Sequence, residues 1–153
     1  MSDQAQGLRR WAERHARATA PEQVLVVVGA ASGLGDARAT LRRWRADGHA
    51  WVAEPSRWQL LALAADSPRV PEMARHYPRW GLWLSTDPGA CQRAYRLVRT
   101  LVQAGGPRRL LLLHGGAVAQ CARVENLRAA CAQFLGVELL IVAERHRDRV
   151  ADN

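Results

Sequence analysis

The sequence predicts an α/β fold, a layered and mostly parallel β-sheet of about five strands flanked by helices and preceded by one further helix. Three observations predict it. The runs Val24–Val28 and Leu110–Leu113 are continuously apolar and Val137–Val142 is apolar but for Glu138, as expected of strands covered on both faces. Helical stretches separate the strand candidates, and a strand–helix–strand succession closes parallel units by right-handed crossovers. The first run opens into Gly29-Ala30-Ala31-Ser32-Gly33-Leu34-Gly35-Asp36-Ala37, after which a helical pattern begins. Strand, glycine turn and helix together form the layout of a phosphate cradle.

In chain order, residues 3–17 read as an amphipathic helix. Ser2 or Asp3 can cap it, Ala5, Leu8 and Ala12 share one face with Trp11 and His15 beside them, and Arg9, Arg10, Glu13, Arg14 and Arg17 take the other. Residues 18–21 form a linker that stops at Pro21, which gives a division into residues 1–20 and an α/β domain over 21–153. The strand candidates are Val24–Val28, Ala50–Ala53, Gly81–Leu84, Leu110–Leu113 and Val137–Val142. Helices are expected near Asp36–Ala46, Arg57–Ala65, Pro88–Ala104 and Val124–Leu135. Gly48, Gly105, Gly106 and Gly136 stand where C-terminal caps belong. Residues 66–80 are the least regular, broken by Pro68, Pro71 and Pro78.

Composition narrows the function classes. The 153 residues carry a formal charge of +8, and all 22 basic residues are arginine. That balance suits an acidic partner. The arginines are interleaved with Asp and Glu and never form a long run, which argues against DNA as the target. Cys91, Cys121 and Cys131 are too widely spaced for a zinc site, and His15, His49, His76, His114 and His146 show no metal spacing. The sequence shows no secretory leader and no membrane-length apolar stretch, so a reducing cytoplasmic setting is expected. Of the six tryptophans, Trp44, Trp51, Trp80 and Trp83 read as packing residues and Trp58 as the one lining an exposed face.

The glycine turn supports three readings. Gly-Ala-Ala-Ser-Gly-Leu-Gly is similar to the cofactor turn of short-chain dehydrogenases, whose tyrosine–lysine acid/base pair has only Tyr95-Arg-Leu-Val-Arg99 as a counterpart here. Laid on the deviant P-loop of MinD-like ATPases, Lys-Gly-Gly-x-Gly-Lys-Thr, the turn keeps Gly33 and Gly35 but has Ala31 for the signature lysine, Asp36 for the phosphate lysine and Ala37 for the magnesium-binding threonine. An acid at position 36 opposes a triphosphate, and alanine cannot ligate Mg²⁺. The third reading is a tight turn that needs glycine for its shape alone.

Two further stretches carry a resemblance. Met1-Ser2-Asp3-Gln4-Ala5-Gln6-Gly7-Leu8-Arg9 resembles the Asp-Gln-Ala-x-x-Leu-Arg segment of the MinD-like flagellar number regulators, the FlhG/FleN family. Leu82-Trp83-Leu84-Ser85-Thr86-Asp87-Pro88, with Ala94-Tyr95-Arg96-Leu97-Val98 after it, and later Phe134-Leu135-Gly136-Val137, resemble that family's later strands and their sequels. The likeness spans about two thirds of the chain. It implies a truncated P-loop NTPase or Rossmann-like core behind a helix that docks on an SRP-type GTPase, FlhF, and stimulates it. The matching positions are Asp3, Gln4, Ala5, Leu8 and Arg9, with Gln4 placed to orient a water in the partner's site and Leu8 and Trp11 as apolar anchors.

The departures are as informative. Val52-Ala53-Glu54-Pro55-Ser56 replaces the family's Asp-x-Asp region after strand two, no Asp-x-x-Gly switch precedes strand three, and His114-Gly115-Gly116 stands in place of the adenine-side asparagine. The expectation is a non-catalytic regulator or adaptor in flagellum assembly or number control, with no metal and no cofactor beyond a weakly held anion or nucleotide. The alternative is a truncated dinucleotide-binding oxidoreductase using Tyr95.

Overall fold

In the computed structural model, the described residues are Gly7 and residues 23–30, 33–115 and 122–142. Five parallel strands form one sheet: β1 (Gln23–Val28), β2 (Trp58–Ala62), β3 (Trp80–Leu84), β4 (Arg109–His114) and β5 (Glu138–Leu140). The helices are α1 (Gly35–Ala46), α2 (Val70–His76), α3 (Ala90–Gln103) and α4 (Ala122–Ala130), the last continuing into a π-helical turn at Cys131–Leu135. The strand order is β2-β1-β3-β4-β5. This is the 2-1-3-4-5 order of doubly wound, Rossmann-like sheets, in which the topological switch lies between β1 and β3. The layered α/β expectation therefore stands, with an entirely parallel sheet.

Alternation along the strands divides the core in two. Val26, Val28, Leu82, Leu84, Leu110, Leu112 and Leu139 pack with Val70 and Met73 of α2, Ala94, Val98 and Leu101 of α3, and Val124 and Leu127 of α4. On the opposite face Leu25, Val27, Leu60 and Leu113 meet Ala37, Leu41 and Trp44, all three from α1. Among the described residues, three helices cover one face and a single helix covers the other. Cys131 lies in the three-helix layer, where burial pushes its thiol up to about 11 and leaves it an inert packing group.

Two elements differ from the sequence expectation. Ala50–Ala53 is not a strand. Ala50–Val52 forms a 3₁₀ turn, and Ala53 leaves it with a positive φ of 55°. Arg57–Ala65 is not a helix, because Trp58–Ala62 is the edge strand β2. Its leucines and alanine favour helix as an isolated segment, but parallel pairing from Gln23↔Trp58 to Val27↔Ala62 overrides that preference. Val52–Ser56 accordingly precedes the second strand. The tryptophans exchange roles with it. Trp58 is buried and its indole Nε1 donates to the Val52 carbonyl at 2.6 Å, whereas Trp51 is 46% exposed. In the proline-broken segment, α2 forms from Val70 with Pro71 in its first turn, where the missing N–H costs nothing. Among the described residues, no helix is long and apolar enough to cross a membrane.

Candidate functional site

The carboxyl ends of parallel strands, beside the topological switch, are where doubly wound sheets place ligands. Here that edge is built by the glycine turn after β1, the loop after β2, and residues 85–89 after β3. Gly29 has φ +89°, and a Cβ on it would stand 3.2 Å from the Trp83 carbonyl oxygen and 3.3 Å from Leu97 Cδ1. Only glycine suits both that conformation and that approach. Gly33, at φ +111°, donates its N–H to the Ala30 carbonyl at 3.1 Å and closes the turn. Ala31 and Ser32 lie outside the described residues.

Helix α1 then begins at Gly35. Asp36 is exposed in its first turn, and Ala37 is fully buried against the sheet. A carboxylate there complements the positive end of the helix, the end that would otherwise attract a phosphate. Ala37 fills a core position, and its methyl group offers a metal no oxygen.

The rest of α1 is tied down structurally. The Thr40 hydroxyl lies 2.9 Å from the His114 carbonyl and 3.0 Å from the Asp36 carbonyl. Arg43 Nη2 also donates to the His114 carbonyl, at 2.8 Å. Arg38 reaches across to β2, donating from Nη1 to the Pro55 carbonyl and from Nη2 to the Trp58 carbonyl. These bonds fix the helix on the carboxyl end of β4 and on the edge strand. The His114 ring is fully buried and meets Trp44 edge-on at 6.2 Å, so its side chain belongs to the core.

Beside the glycine turn lies a cleft of ≈ 740 Å³, lined by Gly29 and Ala30, by residues 62–66 at and beyond the end of β2, and by Arg93, Arg96, Leu97 and Thr100 of α3. Arg93, Arg96, Leu97 and Thr100 follow helical spacing and so share one side of α3. Two arginines and one carboxylate, Asp66, face a mainly apolar hollow. Arg93 is engaged: it pairs with Asp87 and also reaches Ser85 Oγ at 3.4 Å, while Ser85 donates to Asp87 at 2.5 Å. The Ser85 hydroxyl and the Arg93 guanidinium together hold the Asp87 carboxyl below its ordinary value of 3.8. Because that shift is downward, whatever Asp87 contributes to stability is present above 3.8 and is lost as the pH falls through its lower folded value. The group is exposed, so solvent screens the contribution. Ser85→Ala and Arg93→Ala are each expected to return the Asp87 titration toward 3.8, as read from its carboxyl resonance; a titration unmoved by either change would contradict the assignment.

Tyr95 does not line this cleft. It faces a separate hollow with Cys91, Gln92 and Arg123, and Arg99 is exposed. Among the described residues, no three His, Cys, Asp or Glu side chains gather as a metal site. Of the residues singled out from the sequence, Gly33, Gly35, Asp36 and Ala37 sit together at the turn. Asp3, Gln4, Leu8, Arg9 and Trp11 lie outside the described residues. The arginine stripe on α3 went unnoticed in the sequence. Its spacing was a visible signal, but nothing local says which side of α3 faces the cleft. No protein-family model matches the chain, and neither does any curated protein or solved structure.

Proposed function

We propose that this protein is a non-catalytic regulator or adaptor with the layout of a MinD-like ATPase, working by contact in place of nucleotide turnover. The observation that carries the reading is the start of α1. A phosphate-binding loop needs a cation and a hydroxyl there, and this chain offers an exposed Asp36 and a buried Ala37. No lysine exists elsewhere in the chain to substitute. The contact element is the Asp-Gln-Ala-x-x-Leu-Arg segment, in which Asp3, Gln4, Leu8, Arg9 and Trp11 meet an SRP-type GTPase of the FlhF kind. Its setting is the cytoplasm, in flagellum assembly or number control.

The cleft beside Gly29 admits a weak anion through Arg96, with Asp66 opposing it; Arg93 is already paired with Asp87. An oxidoreductase reading would need Tyr95 in the cleft by the glycine turn, and the tyrosine faces a different hollow. Titration with NAD(P)H, followed by tryptophan fluorescence, separates the two readings, since micromolar binding supports the oxidoreductase.

The contact reading is tested with a peptide of residues 1–18. It is expected to raise the partner's GTP hydrolysis, and Gln4→Ala in the peptide is expected to reduce that stimulation about tenfold by removing the amide that orients water. A peptide without effect, or a Gln4→Ala peptide as active as the parent, overturns the proposed contact.

A further inference from the structure

Adjacent strands stand about 4.8 Å apart, so five of them span roughly 19 Å, and a helix about 10 Å across covers only half of that width. The face carrying α2, α3 and α4 is fully served. The opposite face has α1 alone among the described residues, and α1 sits over Val27, Leu113 and the β2 side. What remains beside it is a groove of ≈ 710 Å³ running from Gln23 past Trp51 to Leu111, Leu140 and Val142. Three large apolar side chains are exposed among the described residues, namely Trp51, Phe134 and Leu140. Two of the three line this one groove. Leaving such a patch open to water is unfavourable in proportion to its apolar area.

Two of its lining residues, Gln23 and Val142, are joined in sequence to stretches outside the described residues. Residues 143–153, which follow Val142, are Ala-Glu-Arg-His-Arg-Asp-Arg-Val-Ala-Asp-Asn, too polar to fill an apolar groove. Residues 1–22 lead directly into Gln23, itself a lining residue. They carry the amphipathic pattern of Ala5, Leu8 and Ala12 with Trp11 beside it, and Gly7, the described residue within them, is helical and exposed. A helix over residues 3–17 would be about 22 Å long. The linker from Ala18 to Glu22 reaches at most about 17 Å, enough to turn the chain from such a helix into β1.

We propose that residues 3–17 seat on this groove as the second helix of the α1 face, with Leu8 and Trp11 against Trp51, Leu111 and Leu140. The seat stands independently of any partner. Its consequence for the contact reading above, on which that consequence rests, is that a GTPase must compete with the protein's own sheet for Leu8 and Trp11.

The test uses the full chain with Cys91 and Cys121 changed to serine. Leu8→Cys combined with Leu140→Cys is expected to cross-link within one chain on mild oxidation, at a rate independent of protein concentration and about tenfold or more above a control pairing Leu8→Cys with Gln92→Cys on the opposite face. A dimeric cross-link would assign the groove to a second copy and overturn the proposal, as would a rate equal to the control. A second measurement does not rely on the cysteine background. Leu140→Glu, at a partly exposed site, is expected to release the segment and speed tryptic cleavage after Arg9, Arg10, Arg14 and Arg17 about tenfold; unchanged cleavage overturns the seat. Neither readout involves the GTPase, so failure here and failure of the partner contact are told apart.

Discussion

Trp44→Ala is expected to remove about 3–5 kcal/mol of folding free energy and lower the melting temperature by roughly 10 °C. Trp44 is wholly buried at the centre of the smaller core, on the only described helix of its face. Its ring lies 5.9 Å from Trp51 and 6.2 Å from His114, centroid to centroid. Truncation opens a void that α1 cannot close, because Arg38, Thr40 and Arg43 hold it to β2 and β4 through backbone carbonyls. A domain of ordinary stability, about 5–15 kcal/mol, would lose much of its reserve. Trp44→Phe keeps most of the apolar volume and should cost clearly less. Urea unfolding of both variants checks this, and a loss under about 1 kcal/mol for Trp44→Ala would contradict the packing described.

Gly29→Val is the second large effect. Position 29 combines φ +89° with a backbone neighbour, the Trp83 carbonyl, 3.2 Å from where a Cβ would stand. The left-handed conformation alone costs an L-residue about 1–2 kcal/mol, and the carbonyl belongs to β3, which is paired with strands on both sides and has no freedom to retreat. The expected total is about 3 kcal/mol. Gly35→Ala supplies the contrast. A Cβ there meets nothing within 4 Å and φ is not positive, so the change should be neutral or slightly stabilising as a helix residue. Equal effects at the two positions, read from thermal melts, would show that the turn is not shaped as described.

The fold was legible where the chain carries continuous β-branched or leucine runs. Val24–Val28 and Leu110–Leu113 admit few alternatives, and both became central strands. β2 was not legible. Trp58-Gln59-Leu60-Leu61-Ala62 contains no β-branched residue, and only its pairing with β1 makes it a strand. That one misreading carried Trp51 and Trp58 with it, because burial at an edge depends on register and a single misplaced element reverses which side faces water. The glycine turn was legible in outline, since Gly29 and Gly33 mark their own positive φ values. The stripe of Arg93, Arg96 and Thr100 was written in the sequence at helical spacing, but three polar positions on a helix ordinarily face solvent. Their place beside the cleft follows from how Ala94, Val98 and Leu101 dock α3 on the sheet, a long-range fact.

The arginines divide along the same line. Counted from the sequence they describe a generally basic surface. In the structure Arg38, Arg43 and Arg108 each donate to backbone carbonyls, Arg79 lies over the Trp58 ring at 5.7 Å, and Arg93, Arg109 and Arg128 pair with carboxylates. These contacts tie elements together. A guanidinium bonded to a neutral carbonyl or lying over a ring nevertheless keeps its charge, and the formal +8 already counts the paired carboxylates. The basic balance that suits an acidic partner therefore persists.

The central claim is that an acid and a buried methyl at the start of α1 leave this layered α/β protein to act through contact alone. The most direct test is to incubate the purified full chain with ATP and Mg²⁺ and follow phosphate release. The account predicts release indistinguishable from buffer, with or without EDTA. Sustained release that requires magnesium and stops when EDTA is added would contradict it.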